Sequence, residues 1–170
     1  MRRELLSVLA SMLLVSALLA AWSSYVGSFL ARLEAKLEHN PGLAAVLPVL
    51  MATTGAAAAS FGSKLSTRVH LGTVSARRLV YDAAVQALAL ILAMSAYTTL
   101  VTTVFSGQLS LVRTVLESTV LTYLLAVFVA LVSTFASVKL GLDPDDVVGP
   151  IVTTAADSAG IVITLLLSPG

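Results

Sequence analysis

The chain contains five apolar stretches that are each long enough to cross a membrane, and this pattern limits its fold more than any other feature. The stretches are Leu5–Ala31, Pro41–Ser63, Ala83–Val112, Ser118–Val138 and Val147–Gly170. A bilayer core is spanned by about 20 helical residues, and the backbone of such a segment must satisfy its own hydrogen bonds. Charged residues make up only 11% of the chain, compared with about a quarter in soluble domains. We therefore predict an all-α integral membrane protein with five transmembrane helices. Residues 1–170 form a single domain in this prediction, without a soluble regulatory domain.

The positions of the basic residues predict the orientation of these helices. If the N-terminus lies in the cytoplasm, seven of the ten Lys and Arg residues lie inside: Arg2, Arg3, Lys64, Arg68, Arg77, Arg78 and Lys139. The remaining basic residues, Arg32, Lys36 and Arg113, then lie outside. Because cytoplasmic loops carry an excess of Lys and Arg, this distribution favours an N-in/C-out orientation. We expect a multi-pass protein of the plasma membrane.

The N-terminal stretch has two interpretations. Arg2 and Arg3 followed by an apolar run, with small residues around 20–24, fit a cleavable secretory signal. However, the run is longer than the usual apolar part of a signal peptide and continues past Trp22 to Leu30. The basic residues also fit five spans better than four. We expect this stretch to be retained as the first span.

Several functional classes are disfavoured by composition. The chain has no cysteine, which excludes disulfides, thiolate metal sites and thiol catalysis. His39 and His70 lie in predicted loops, without a ligand spacing between them. The few basic residues between spans form no nucleic-acid footprint. A membrane enzyme would need a nucleophile and a base on facing helices, and Asp157 is the only acid we expect within the spans. We therefore expect neither enzymatic activity nor a nucleic-acid partner.

The last stretch carries one charged residue, Asp157, near its middle. An ionised carboxylate at membrane depth costs several kcal/mol, so such a residue indicates a site on an ion or proton pathway. Pro150, Thr153, Gly160 and Thr164 are spaced three or four residues apart and share one helix face with Asp157. The alternative is a protonated acid that binds another helix. The pattern favours a polar stripe on this helix.

The opposite face of the same stretch is apolar. It carries Ile151, Val152, Val162 and Ile163. These side chains suit membrane lipid or a second apolar helix.

The second stretch is rich in small residues at spacings of four. The pairs are Ala52/Ala56, Gly55/Ala59, Ala58/Gly62 and Ala59/Ser63. Such pairs let helix backbones approach closely in a membrane. Pro48 removes one backbone hydrogen bond and frees a carbonyl oxygen upstream. The segment is either a tightly packed, kinked helix or one that leaves room for a pore and offers carbonyl oxygens to it.

The connecting segments are short and charged. We predict loops at residues 32–40 and 64–78, an end or break of the third span at 106–108, and an acidic turn at 141–150. Asp143, Asp145 and Asp146 in that turn either attract cations or make an ordinary helix start. Asp82 lies at the start of the third span, where it could pair with Arg78.

Two segments together resemble a known family. Pro48-Val-Leu-Met through Gly55 to Ser63-Lys-Leu-Ser-Thr-Arg68 resembles a segment of the MgtE-type magnesium transporters and, more closely, of their eukaryotic solute-carrier relatives. Leu142-Asp-Pro-Asp-Asp through Asp157 resembles the family's Asp-Pro motif, in which a helix that begins with proline carries a pore aspartate.

The resemblance assigns roles to individual residues. It implies that Asp157 binds the transported ion and that the carbonyl oxygen of Thr153 is a second ligand. The chain departs from the family at Ala56, where an asparagine is usual after the glycine, and Thr53 and Thr54 are the nearest polar substitutes. The resemblance implies a pore lined by Pro48, Thr53, Thr54, Gly55, Ala56, Pro150, Gly160 and Thr164.

The resemblance also implies an assembly. The eukaryotic relatives hold two five-span units in one chain, so a single unit implies a homodimer with the pore along or beside its two-fold axis. The missing asparagine leaves open a heterodimer, in which this chain is a non-conducting subunit. The cytoplasmic sensor domains of the bacterial proteins are absent from residues 1–170, so we do not expect their form of feedback here.

The ligand types agree with a hard divalent cation. Mg²⁺ dehydrates reluctantly and binds through one or two carboxylates while keeping most of its waters. The candidate ligands are all oxygen atoms, which argues against soft metals but leaves Mn²⁺, Co²⁺ and Ca²⁺ open. We predict a Mg²⁺ transporter or channel, and a sodium-coupled exporter would share this architecture.

Overall fold

The fold consists of five long α-helices. A computed structural model describes residues 2–39, 41–105 and 109–168 of the chain. The helices are α1 (Arg2–His39), α2 (Pro41–His70), α3 (Ala76–Phe105), α4 (Leu109–Lys139) and α5 (Pro144–Leu167). Each of the five is long and apolar enough to cross a membrane. The predicted all-α class and the prediction of five helices that are long and apolar enough to span a membrane are therefore confirmed.

The charged segment after the first span is helical, so the loop predicted at 32–40 is wrong over residues 32–39. Helix α1 continues to His39 because Arg, Leu, Glu, Ala and Lys are all strong helix formers and no Gly or Pro interrupts them. Pro41 then starts α2, at a helical position where its missing N–H costs nothing. Asn40 lies outside the described residues.

The predicted end of the third span is also wrong. Helix α3 ends at Phe105, and Leu109–Val112 belongs to α4 instead. The residues on both sides of the connection between α3 and α4 are apolar, so the hydropathy pattern does not separate the two helices. Residues 106–108, which we predicted to break or end this span, lie outside the described residues. The helices also extend beyond the apolar stretches at their charged ends, as α2 does from Ser63 to His70.

Two turns with the same geometry end α2 and α4. At Gly72 the amide N–H donates to the carbonyl of Val69 (3.1 Å), and Thr73 N–H donates to Arg68 (2.9 Å). Gly141 and the residue after it repeat this pattern at the end of α4. Both glycines have positive φ, 64° and 69°, a conformation that favours glycine at the end of a helix. These turns make α2–α3 and α4–α5 tight helical hairpins.

Helix α5 lies at the centre of the fold. It packs against both α2 and α4, while α3 packs against α4 and α2 from another side. Helix α1 packs mainly on α5, where Trp22 Nε1–H donates to Ser158 Oγ (2.9 Å). Most of the described side chains of α1 are exposed, as expected for a helix that faces lipid.

Helices α2 and α5 approach each other at glycines. A Cβ atom at Gly62 would lie 2.8 Å from Val148 Cγ1, which is too close for any real contact. At Gly55 the nearest atom to such a Cβ would be Ala156 Cβ at 3.7 Å, an ordinary contact. The predicted close packing at small residues is confirmed most clearly at Gly62.

We expect Gly62→Ala to destabilise the protein and Gly55→Ala to have little effect on stability. The new methyl group at position 62 would push on Val148, which is fully buried and, as a β-branched residue in a helix, has one strongly preferred rotamer. Overpacking of this kind costs about 1–3 kcal/mol. Thermal unfolding of both variants in detergent measures the difference. Equal melting temperatures would contradict the packing described here.

Candidate functional site

The exposure of the polar face of α5 decreases along the helix. Pro150 is exposed, Thr153 and Asp157 are half-buried, and Gly160 and Thr164 are buried. A Cβ at Gly160 would meet Met51 Cγ at 3.1 Å and Thr122 Cγ2 at 3.8 Å, so α2 and α4 cover this part of the face. The first half of the face, up to Asp157, is left partly open.

Asp157 has no partner in the described part of the chain. Among those residues we find neither a hydrogen bond nor an ion pair to its carboxylate, although it lies in the middle of an apolar helix. Intramembrane carboxylates normally pair with another group or line a water-filled cavity. A cation, water or a second chain would each supply such a partner.

The turns of α5 that precede Asp157 contain backbone oxygens that are available to a ligand. Thr153 Oγ1 donates within its own helix, to Gly149 O and to Pro150 O, both at 3.1 Å. Pro150 has no N–H, so it leaves the carbonyl of Asp146 without the usual helical donor. The first half of α5 can therefore offer carbonyl and hydroxyl oxygens, which are ligands that hard cations prefer.

The same region of α5 touches α2 at Gly55. The Cβ position of Gly55 lies 3.8 Å from both Cα and Cγ2 of Thr153. Beside this contact, α2 exposes a stripe of small residues and one proline: Pro48, Ala52, Ala56, Ser60 and Ser63. Pro48 lies inside the helix and leaves the carbonyl of Ala44 without its helical donor.

Neither Thr53 nor Thr54 of α2 forms a hydrogen bond with Asp157 within the described residues. Thr53 Oγ1 donates to Val49 O (2.7 Å) and lies 3.6 Å from Met94 Sδ of α3. Thr54 is fully buried, and its hydroxyl donates to Leu50 O (2.7 Å). Both hydroxyls therefore satisfy carbonyl groups of their own helix.

Two spaces open between α1 and α5. The smaller, about 150 Å³, is lined by Met12, Val15, Ser16, Asp146, Val147 and Pro150. The larger is an apolar groove of about 540 Å³ that includes Ile151, Val162 and Ile163, the face predicted to suit lipid or a helix. Val152, predicted on that face, is instead fully buried in the core.

An ion pair connects α2 to α3, and it involves a residue that the sequence did not single out. Arg68 Nη2 lies 2.6 Å from Asp82 Oδ2, so the suggested partner, Arg78, was wrong. The contact lacks an aligned hydrogen bond, because Asp82 Oδ2 has no donor with suitable geometry. Spacing could not reveal the pair, because it depends on α2 continuing as a helix to Arg68 and on the fold of the α2–α3 hairpin.

Asp157 and the small-residue stripe both lie within a segment that matches a known family. A family model described as MgtE, divalent cation transporter, matches residues 47–167, well over half of the 170-residue chain. The match runs from α2 to the end of α5 and leaves out α1. No curated protein sequence and no solved structure matches the chain.

We expect Arg68→Gln and Asp82→Asn to destabilise the protein singly, and the double variant to lose less than the sum. Each single change leaves a mostly buried charge without its partner, since the two side chains are 22% and 18% exposed. Coupling between such neighbours is about 0.5–3 kcal/mol. A double-mutant cycle of thermal unfolding in detergent measures it. Additive losses would show that the pair does not contribute to stability.

Proposed function

The chain belongs to the MgtE family of divalent cation transporters, and we propose that it moves Mg²⁺ across the plasma membrane through a pore between two copies of itself. The family consists of transporters rather than enzymes, and the five apolar helices make this a multi-pass membrane protein. The single observation that carries the proposal is the carboxylate of Asp157. It lies half-buried in an apolar helix and has no partner within the described residues.

The chemistry of this carboxylate suits a hydrated divalent ion. Mg²⁺ keeps several of its waters and is held through one or two carboxylates, so one Asp157 from each of two chains would be sufficient. The carbonyl of Thr153, one turn earlier, is the proposed second ligand. Pro48, Gly55 and Pro150 shape the pore in this proposal. Mn²⁺, Co²⁺ and Ca²⁺ accept the same oxygen ligands.

The exposed stripe of α2 supports a dimer. Small residues contribute little by facing lipid, but they allow two helices to approach closely. In the single chain Ala52 and Ala56 are exposed, next to the contact between Gly55 and Thr153. Pairing two chains through α2 would place both copies of Asp157 near the interface. The N-in orientation remains our proposal from the distribution of basic residues.

A second candidate is a non-conducting subunit of a heterodimer. Ala56 provides no side-chain ligand, and the hydroxyls of Thr53 and Thr54 already bind carbonyls of α2. A homologous chain with an asparagine at the position of Ala56 could supply the missing ligand. A sodium-coupled exporter would instead show flux that depends on a sodium gradient.

We expect purified protein in liposomes to conduct Mg²⁺ and the Asp157→Ala variant to lose this flux. The substitution removes the acid in the middle of α5 while adding no bulk. Fluorescence of a Mg²⁺ indicator inside the liposomes is the measurement. Glu117→Gln is the matched control, since Glu117 is an acid of α4 that is partly exposed and pairs with Arg113 (2.7 Å).

The outcomes separate the alternatives. Flux close to that of the unmodified protein in the Asp157→Ala variant would end the assignment of this residue. If neither protein conducts although both are folded, the partner-subunit candidate is favoured. Purification with a second five-span chain would then support it.

We expect Ala52→Cys or Ala56→Cys to give a disulfide-linked dimer under mild oxidation. The chain has no cysteine of its own, so any cross-link reports on the introduced residue. Leu92→Cys is the control, because Leu92 is 63% exposed on α3, away from the proposed interface. Gel electrophoresis without reductant measures the product. Cross-linking of Leu92→Cys alone would place the interface elsewhere.

A further inference from the structure

A second group of metal-ligating side chains lies at the end of the bundle where α2 ends and α5 begins. It consists of His70, Asp143 and Asp145, which are all exposed. One ligand atom from each residue, a ring nitrogen or a carboxylate oxygen, lies within 4.8 Å of the other two. The histidine comes from one helical hairpin and the two acids from the other. Since His70 and the acids lie far apart in the sequence, only the fold reveals this arrangement.

The surrounding backbone holds the three residues in place. The turns at Gly72 and Gly141 end α2 and α4 at the same end of the bundle, so the two connections lie side by side. Asp143 caps α5, and its Oδ1 accepts a hydrogen bond from the Asp145 backbone N–H (3.0 Å). The second carboxylate oxygen of Asp143 has no hydrogen-bond donor among the described residues, which leaves it available for a ligand.

We propose that His70, Asp143 and Asp145 form a divalent-cation site separate from Asp157, which prefers Mn²⁺, Co²⁺ or Zn²⁺ to Mg²⁺. Two kinds of ligand support this choice. Imidazole nitrogen favours first-row transition ions, whereas Mg²⁺ favours sites made of oxygen alone. Two carboxylates supply the negative charge that such an ion needs. The remaining positions would be filled by water.

The spacing is compatible with one ion bound by all three residues. Neighbouring ligands about 2.1 Å from one ion lie roughly 3 Å apart, and the three ligand atoms lie within 4.8 Å of one another, so any movement needed on binding is small. Rotation of exposed side chains provides this movement at low cost. Because all three residues are exposed, we expect an affinity that is modest compared with that of a rigid, buried metal site.

The position of the site links it to the pore helices. It connects the last turn of α2 to the first turn of α5, and these two helices also carry the Gly55–Thr153 contact. A bound ion would restrain the two ends relative to each other. The binding itself does not depend on the proposed function, because it requires neither transport nor a dimer.

The test is Mn²⁺ binding to the purified full chain in detergent. All samples carry Asp157→Asn, so that the proposed pore site does not contribute. Electron paramagnetic resonance follows the loss of the free Mn²⁺ signal, and pulsed measurements detect a ring nitrogen on the bound ion. We expect one site per chain with nitrogen coupling. His70→Ala removes the coupling, and Asp145→Asn weakens binding at least tenfold.

Two matched controls make the test specific. Asp146→Asn removes the same charge from the same helical turn, and His39→Ala removes the other histidine of the chain. We expect both to keep the coupling and the affinity. Equal weakening by Asp145→Asn and Asp146→Asn would show only a general attraction to acidic residues and overturn the site. Displacement of Mn²⁺ by an equal concentration of Mg²⁺ would overturn the preference.

Discussion

The structure carries the carboxylate of Asp157 in the middle of an apolar helix. Helix α5 packs against both α2 and α4, and this packing fixes the position of Asp157 within the bundle. Helix ends allow long basic side chains to reach the interface, but an aspartate in the middle of a helix is too short to do so. The two halves of the α5 face that carries Asp157 have different surroundings. Tight packing covers the second half of its helix face, and an open approach remains on the first half.

Glycine at the α2–α5 contact explains how these two helices pack closely. Lipid tails are as apolar as leucine, so hydrophobicity does not press two helices together within a bilayer. Close contact over a large area has to replace that force, and Gly62 permits it by leaving room for Val148. The ion pair between Arg68 and Asp82 joins α2 to α3 as well. Packing against α5 and the ion pair to α3 together hold α2 in place. They also determine which way its exposed stripe of small residues faces.

Much of the fold could be predicted from the sequence, and most of the errors have one cause. The number of spans and the close packing of small residues follow from composition and spacing, which are local properties. The helix ends at His39 and Phe105 were missed because hydropathy shows which residues suit a membrane and does not show where a helix ends. Asp157 stood out as the only charge in its stretch. Three other features depend on the tertiary structure. They are the lack of a partner for Asp157 within the described residues, the pairing of Arg68 with Asp82, and the group around His70. Residue spacing within one segment cannot predict contacts between different helices.

The attachment of α1 has a consequence for the surroundings of Asp157. This helix buries few of its described side chains, and among the described residues it is linked to α5 by the hydrogen bond from Trp22 to Ser158, the residue that follows Asp157. A helix with so little protein contact takes its tilt from the thickness of the bilayer as well as from its neighbours. We therefore expect a change in membrane thickness to shift the backbone next to the carboxylate through α1.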